Sequence, residues 1–250
     1  LFLPPHAMQD YVEKQAARWS EILAKKLEQK VKLIVADVPF DASATLCDKG
    51  YYLRPFHPKP EGRAKLLKKQ ILGSCMNVLA QIVRHQPRLI LGTGQGGLIA
   101  GILAMPMVVE LAVRLRAPVN HEIRNYRRSW TRVAGIIAVD PQIGADCTKH
   151  PVSDLTDAIA EFSFAQTRGV HRAVIQTTKS RYGGQAKFNE DFAALIGSPM
   201  AQENHFEHVL EPLKCSLLSP PLIYFEDDSG GCGECKICGI SGVMTRCLKC

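Results

Sequence analysis

Apolar residues recur along the chain in two rhythms. Between 10 and 30 they fall at Val12, Ala16, Trp19, Ile22, Leu23 and Leu27. Between 61 and 85 they fall at Leu66, Leu67, Ile71, Leu72, Cys75, Met76, Leu79, Ile82 and Val83. This three-and-four spacing predicts two amphipathic helices, the second of them the longest in the chain, with Lys65, Lys68 and Lys69 on its wet face. Further helical patterns cover 97–115, with a bend at Pro106, then 153–166, 191–196 and 206–210. Short continuous apolar runs lie between them at 1–3, 31–38 (VKLIVADV), 88–91, 133–139 (VAGIIAV), 171–176 (HRAVIQ) and 222–225 (LIYF). Runs of this length and β-branched content read as strands buried on both faces. Strands alternating with helices predict an α/β fold, a mostly parallel sheet with helices on both faces joined by right-handed crossovers. No internal repeat is visible.

The run at 88–104, RLILGTGQGGLIAGILA, organises this pattern: a buried strand, a glycine-rich turn, then a helix. Four glycines in six positions (Gly92, Gly94, Gly96 and Gly97) permit a sharp reversal and leave backbone amides facing whatever sits at the helix N-terminus. Gly92, Gly94 and Gly97 satisfy G-x-G-x-x-G, the dinucleotide fingerprint. That fingerprint belongs after the first strand of a unit, with an acid closing the next strand about twenty residues on. Here two strand-like runs come first, and LRAPVN stands where the acid should be. In the other frame GTGQGG aligns with the G-x-S-x-G elbow, with Gly94 at the serine position.

The succession FLPPHA, helix, LIVADVPF, long helix, LILGTGQGGLIAG, VAGIIAVDP, HRAVIQ and ENHFEHV resembles the α/β-hydrolase family from its oxyanion loop to its histidine loop. The resemblance spans most of 1–225 and implies a three-layer sheet with the nucleophile position on Gly94. It implies an oxyanion hole made by the backbone amides of Gln95 and of the His6-Ala7 turn. Asp140 is the candidate acid, and His205 or His208 the candidate base. The strand 171–176 runs into Thr177, Thr178 and Lys179, so the family's usual acid is absent there. Gly94 has no side chain to attack a carbonyl, Thr93 is one residue out of register, and Ser74 and Cys75 lie inside a helix. Because a serine hydrolase loses orders of magnitude in rate with any triad member, the expectation is an inactive domain with a ligand pocket. The alternative is an esterase in which His205 or His208 works with Asp140 to activate water.

Cysteines change the picture at the C-terminal end. Five of the nine lie in 232–250, after an acidic, glycine-rich linker at 226–231. Cys235-x-x-Cys238 and Cys247-x-x-Cys250 are two knuckles, each able to set two thiolates on one side of a tight turn, which predicts bound Zn2+. The pattern C-x-x-C-G, with eight residues between the two pairs and Arg246 just before the third cysteine, resembles the start of a MYND-type zinc finger. That resemblance implies two interleaved zincs with further ligands past Cys250, and docking of protein partners through short, often proline-containing segments. Alternatively the four cysteines share one zinc, with Cys232 a spare or alternative ligand.

The excess of 31 basic over 24 acidic residues, net +7, is concentrated at 124–132 (RNYRRSWTR). Four arginines with a tyrosine and a tryptophan suit nucleic acid, but a solvated connection between helix and strand is the simpler reading, so nucleic acid is not the expected partner. No run of eighteen apolar residues and no signal-type N-terminus appears, which with cysteines placed for metal predicts an intracellular protein of cytoplasm or nucleus and no membrane. Leu1 opens inside an apolar run and Cys250 closes a knuckle, so the chain reads as part of a longer protein.

Overall fold

The computed structural model describes residues 1–5, 7–38, 51, 60–105, 129–130, 132–143, 152–159, 170–177, 184–218, 232–234 and 241–243. The main sheet has five parallel strands in the order β1 (Phe2–Leu3), β2 (Leu89–Thr93), β3 (Gly135–Val139), β4 (His171–Gln176) and β5 (Met200–Gln202). The helices among the described residues are α1 (Gln9–Leu27), α2 (Pro60–His85), α3 (Gln95–Leu103), α4 (Val152–Ile159), α5 (Gln185–Leu195) and α6 (Glu207–Leu218). A separate antiparallel hairpin pairs β6 (Cys232–Glu234) with β7 (Ser241–Val243).

Alternation along each strand sorts the side chains into two cores. Leu3, Ile90, Ile136, Ala138 and Val174 join Ile71, Leu79, Leu98, Leu155 and Phe192 from α2, α3, α4 and α5. Phe2, Leu89, Leu91, Ile137, Val139 and Ile175 join Trp19 and Leu23 from α1, Leu213 from α6 and Phe206, the residue before α6. The strands are therefore apolar on both sides because each side is roofed by helices, as the continuous apolar runs demand. The α1–α6 roof is fastened by the Trp19–Phe206 ring pair, centroids 6.4 Å apart. Ion pairs Arg18–Glu203 and Lys26–Glu207 add to it at the surface.

Most of the periodic segments take the expected form, and the departures have local causes. The run 31–38 is not a strand: Val35 makes a single parallel bridge to Phe2, with Phe2 N to Ile34 O at 2.8 Å and Ala36 N to Phe2 O at 2.9 Å. Its neighbour among the described residues, β1, is two residues long, so no ladder extends between them. Helix α3 ends at Leu103 instead of running to 115, and 106–128 lie outside the described residues. Helix α5 begins at Gln185, ahead of the expected start at 191, and α6 continues through Pro212 to Leu218. Burial of Leu210 and Leu213 on either side of that proline holds the turn although Pro212 has no amide to donate. Strand β5 was not expected, being only three residues long. The strand expected at 222–225 lies outside the described residues.

With the Val35 bridge counted, the edge segment and β1 lie on one side of β2, while β3, β4 and β5 follow on the other. The winding direction thus reverses between β1 and β2, so the carboxyl ends of these two strands flank the crevice where α/β sheets bind ligands. Helix α3 crosses that point at backbone contact. A Cβ on Gly96 would stand 2.2 Å from Leu3 O, and one on Gly92 would stand 2.1 Å from Gly96 O. At the opposite edge Arg172 reaches from β4 to the ends of two helices, its Nε donating to Gly197 O at 3.1 Å and an Nη to Ala104 O at 3.3 Å. A cation suits the partial negative charge there.

Two glycine substitutions should therefore behave oppositely. Gly96→Ala is expected to destabilise by about 2–4 kcal/mol, since the obstruction is backbone that cannot rotate away. Gly73→Ala, inside α2 with nothing within 4 Å of its Cβ position, should stabilise by about 0.5–1 kcal/mol through helix propensity. Denaturant midpoints of the two variants against the parent chain check both signs.

Candidate functional site

The turn between β2 and α3 is held at both of its backbone groups. Gly94 N donates to Val139 O at 3.0 Å, and Gly94 O accepts from Leu98 N at 3.0 Å and Gln142 N at 3.2 Å. These bonds fix Gly94 at φ 56°, ψ −122°, a conformation that costs an L-residue about 1–3 kcal/mol and glycine little. The turn thus has the sharp, strained strand-to-helix geometry that projects a side chain above the sheet. At this apex there is none. A Cβ placed on Gly94 would lie 3.2 Å from Gln142 Nε2 and 3.2 Å from Pro5 Cβ, so those two side chains leave little room above the turn.

Around the turn several polar groups are buried. Gln95 donates its side-chain amide to Ile143 O at 3.0 Å, while Gln95 Oε1, Gln142 Oε1 and Thr93 Oγ1 have no hydrogen-bond partner among the described residues. Thr93 shares the strand face of Leu91 and Leu89, which point into the α1–α6 core, so its hydroxyl is on the other side of β2 from α3. Pro4 and Pro5 close the other flank. His6, the remaining member of the expected oxyanion turn, lies outside the described residues.

Asp140 sits one strand over, at the carboxyl end of β3, with φ 40°. Its carboxylate accepts from Thr177 N at 3.1 Å, from the Thr177 hydroxyl and from Asn189 Nδ2 at 3.1 Å. Asn189 is in turn held by Gln185, whose side-chain amide donates to Asn189 Oδ1 at 2.7 Å and to Pro141 O at 2.9 Å. Asn189 and Gln185 are fully buried, so the network ties the ends of β3 and β4 to α5 in a site where an unpaired polar group is costly. Asp140 therefore has a structural role that needs no substrate. Gln142, Gln185 and Asn189 had no signal in the sequence beyond ordinary polar residues at a loop and on a helix face.

His205 and His208 are both exposed. They do not share a helix face, because α6 begins at Glu207 and His205 belongs to the turn after β5, its amide donating to Gln202 O at 2.9 Å. Among the described residues neither imidazole bonds Asp140 or the glycine turn. β5 lies three strands from β2 in the sheet, roughly 14 Å at about 4.8 Å per strand. Glu207, next to both histidines, is drawn to α1 by Lys26, whose hydrogen bond holds its carboxyl below the usual range. Cys75, the thiol nearest to a nucleophile in type, is fully buried in α2, and burial pushes it up to about 12.

The cysteines Cys235, Cys238, Cys247 and Cys250 lie outside the described residues, as does most of 124–132. Of that basic stretch, Trp130 packs against the core and Arg132 bonds Gln86 Oε1. Among the described residues no group of His, Cys, Asp and Glu is placed to hold a metal, and no helix is long and apolar enough to cross a membrane. The chain matches no protein-family model, no curated protein and no solved structure.

Two outcomes are expected from this geometry. Asp140→Ala should lower stability by about 2–3 kcal/mol, because it strands the Asn189 amide and the Thr177 N–H; chemical denaturation reads the loss. In native protein a thiol alkylating agent near pH 8 should modify Cys215, which is exposed, and spare Cys75. The raised Cys75 value favours the folded state below the ordinary thiol range, and that contribution should be lost as pH rises from about 9 towards about 12; mass spectrometry of labelled peptides across that range checks it.

Proposed function

We propose that this chain is a catalytically silent α/β-hydrolase-like domain followed by a zinc-binding finger of MYND type that docks protein partners. The observation that carries the first half is Gly94, held at φ 56°, ψ −122° between β2 and α3 with only hydrogen at the apex. Attack on an ester or amide requires an oxygen or sulfur there, polarised by an imidazole, and loss of such a group costs about 10⁴–10⁶ in rate. Pro5 and Gln142 support the same reading, because they crowd the position a nucleophilic side chain would occupy. The engagement of Asp140 by Thr177 and Asn189 supports it further, since that carboxylate already serves the sheet.

The second half rests on donor chemistry and on the hairpin. Glu234 pairs with Ser241 at the inner ends of β6 and β7, so Cys235 and Cys238 belong to the six-residue connection 235–240 between paired strands. A short connection between paired strands is where two thiolates three residues apart can serve one metal. Cys235, Cys238, Cys247 and Cys250 would hold zinc, with Cys232, which opens β6 opposite Val243, as the alternative donor. Bound zinc supplies folding energy to so small a unit and no catalysis.

Metal analysis of the purified protein is expected to find zinc, and Cys235→Ser with Cys238→Ser should remove it without melting the 1–218 core. A metal-free protein would overturn the finger. Simple aryl esters should be hydrolysed at the rate of buffer alone, and Gly94→Ser should gain no activity while losing about 1–3 kcal/mol of stability. Turnover that vanishes in His205→Ala or His208→Ala would overturn the silent domain.

A further inference from the structure

The amino-terminal edge of the sheet, opposite the glycine turn, carries a cleft of about 320 Å³ between the segment 29–34, the start of β2 and the end of α6. That volume is at the lower end of the range of about 300–1,000 Å³ usual for ligand clefts. Its apolar part comes from Leu27, Leu89 and Leu217, and its polar part from Gln29, Lys30, Lys32, His85 and Arg88, with no carboxylate among the lining side chains. Lys30 and Lys32 line the cleft and are both exposed, while Val31 and Leu33 between and after them pack against the core.

Cations gathered at helix C-termini often serve only to neutralise the last carbonyls. Arg88 is used in that way, and one carbonyl at the end of each of the other two helices is met by a backbone amide, which leaves Lys30 and Lys32 to account for. Ser216 O in α6 accepts from Arg88 Nη2 at 2.6 Å. In α1, Ala24 O accepts from Gln29 N at 3.2 Å, and in α2, Ile82 O accepts from Gln86 N at 2.8 Å. The carboxylates nearest in sequence are also engaged, Glu28 by Lys214 at 3.0 Å and Asp37 by Arg84 at 3.3 Å. Lys30 and Lys32 make no ion pair among the described residues, and Gln29 Nε2 is a buried donor with no acceptor. The cleft therefore combines uncompensated positive charge, an unanswered donor and an apolar wall.

We propose that this cleft is a binding site for a small amphipathic anion, a carboxylate or phosphate monoester on an apolar body, with the head group between Lys30, Lys32 and Gln29 and the body against Leu27, Leu89 and Leu217. The site is independent of the glycine turn and of the finger. Calorimetric titration of the full chain at low salt with octanoate, octyl phosphate, inorganic phosphate and octanol tests it. One saturable site is expected for octanoate or octyl phosphate, the tighter of the two identifying the head group, each binding about tenfold or more tighter than inorganic phosphate and than octanol. Lys30→Glu with Lys32→Glu should weaken binding by at least about tenfold, and Leu217→Trp, which fills the cleft, should abolish it. Should the double variant not fold, Lys32→Gln is expected to weaken binding by about threefold. Absence of saturable binding by both anions, affinity unchanged by removing the charges, or octanol binding as tightly as octanoate would each overturn the proposal.

Discussion

The approach of α3 to the strands beneath it is the constraint on which the rest of the molecule depends. In an ordinary α/β layer the helix stands off the sheet by the length of its side chains, and the two backbones never meet. Here the first turn of α3 comes down onto Leu3 O and onto its own strand at Gly92, so near that a single methyl group at Gly92 or Gly96 would overlap backbone. That contact locks the ends of β1 and β2 together at the place where the winding reverses, and it sets Gly94 in its strained conformation. The helices α2, α4 and α5 then pack in register with a helix whose position is not adjustable, and Phe192 closes against Gly101 on the same helix. One short element thus determines both the layer spacing and the geometry of the turn.

Much of this architecture was legible in the chain because burial and period are local properties. The three-and-four spacing of Val12, Trp19 and Leu23, or of Leu67, Ile71 and Leu79, records a helix that must hide one face, and the runs at 133–139 and 171–176 record strands roofed on both sides. What could not be read was whatever depends on a neighbour. VKLIVADV has every property of a parallel strand except a partner long enough to pair with, and β1 supplies only two residues. Met200–Gln202 is a strand only because β4 lies beside it. Length and periodicity see neither fact.

The candidate site divides in the same way. The sharp turn was visible in GTGQGG, since glycine content reports backbone demand directly. The role of Asp140 was not, because its partners Thr177 and Asn189 come from 37 and 49 residues away, and only the folded sheet brings them to one carboxylate. His205 and His208 are a converse case. Proximity in the sequence suggested a shared face, but the helix starts between them at Glu207 and Lys26 draws that start towards α1.

The tight approach of Pro5 and Gln142 to position 94 bears on which substitutions the scaffold can take. A side chain at 94 must adopt a left-handed backbone and push Gln142 and Pro5 back by a few tenths of an ångström, so every replacement there starts at a cost in stability. The solvent faces of α1 and α2 meet no such obstruction, and variation is cheaper there than at the turn.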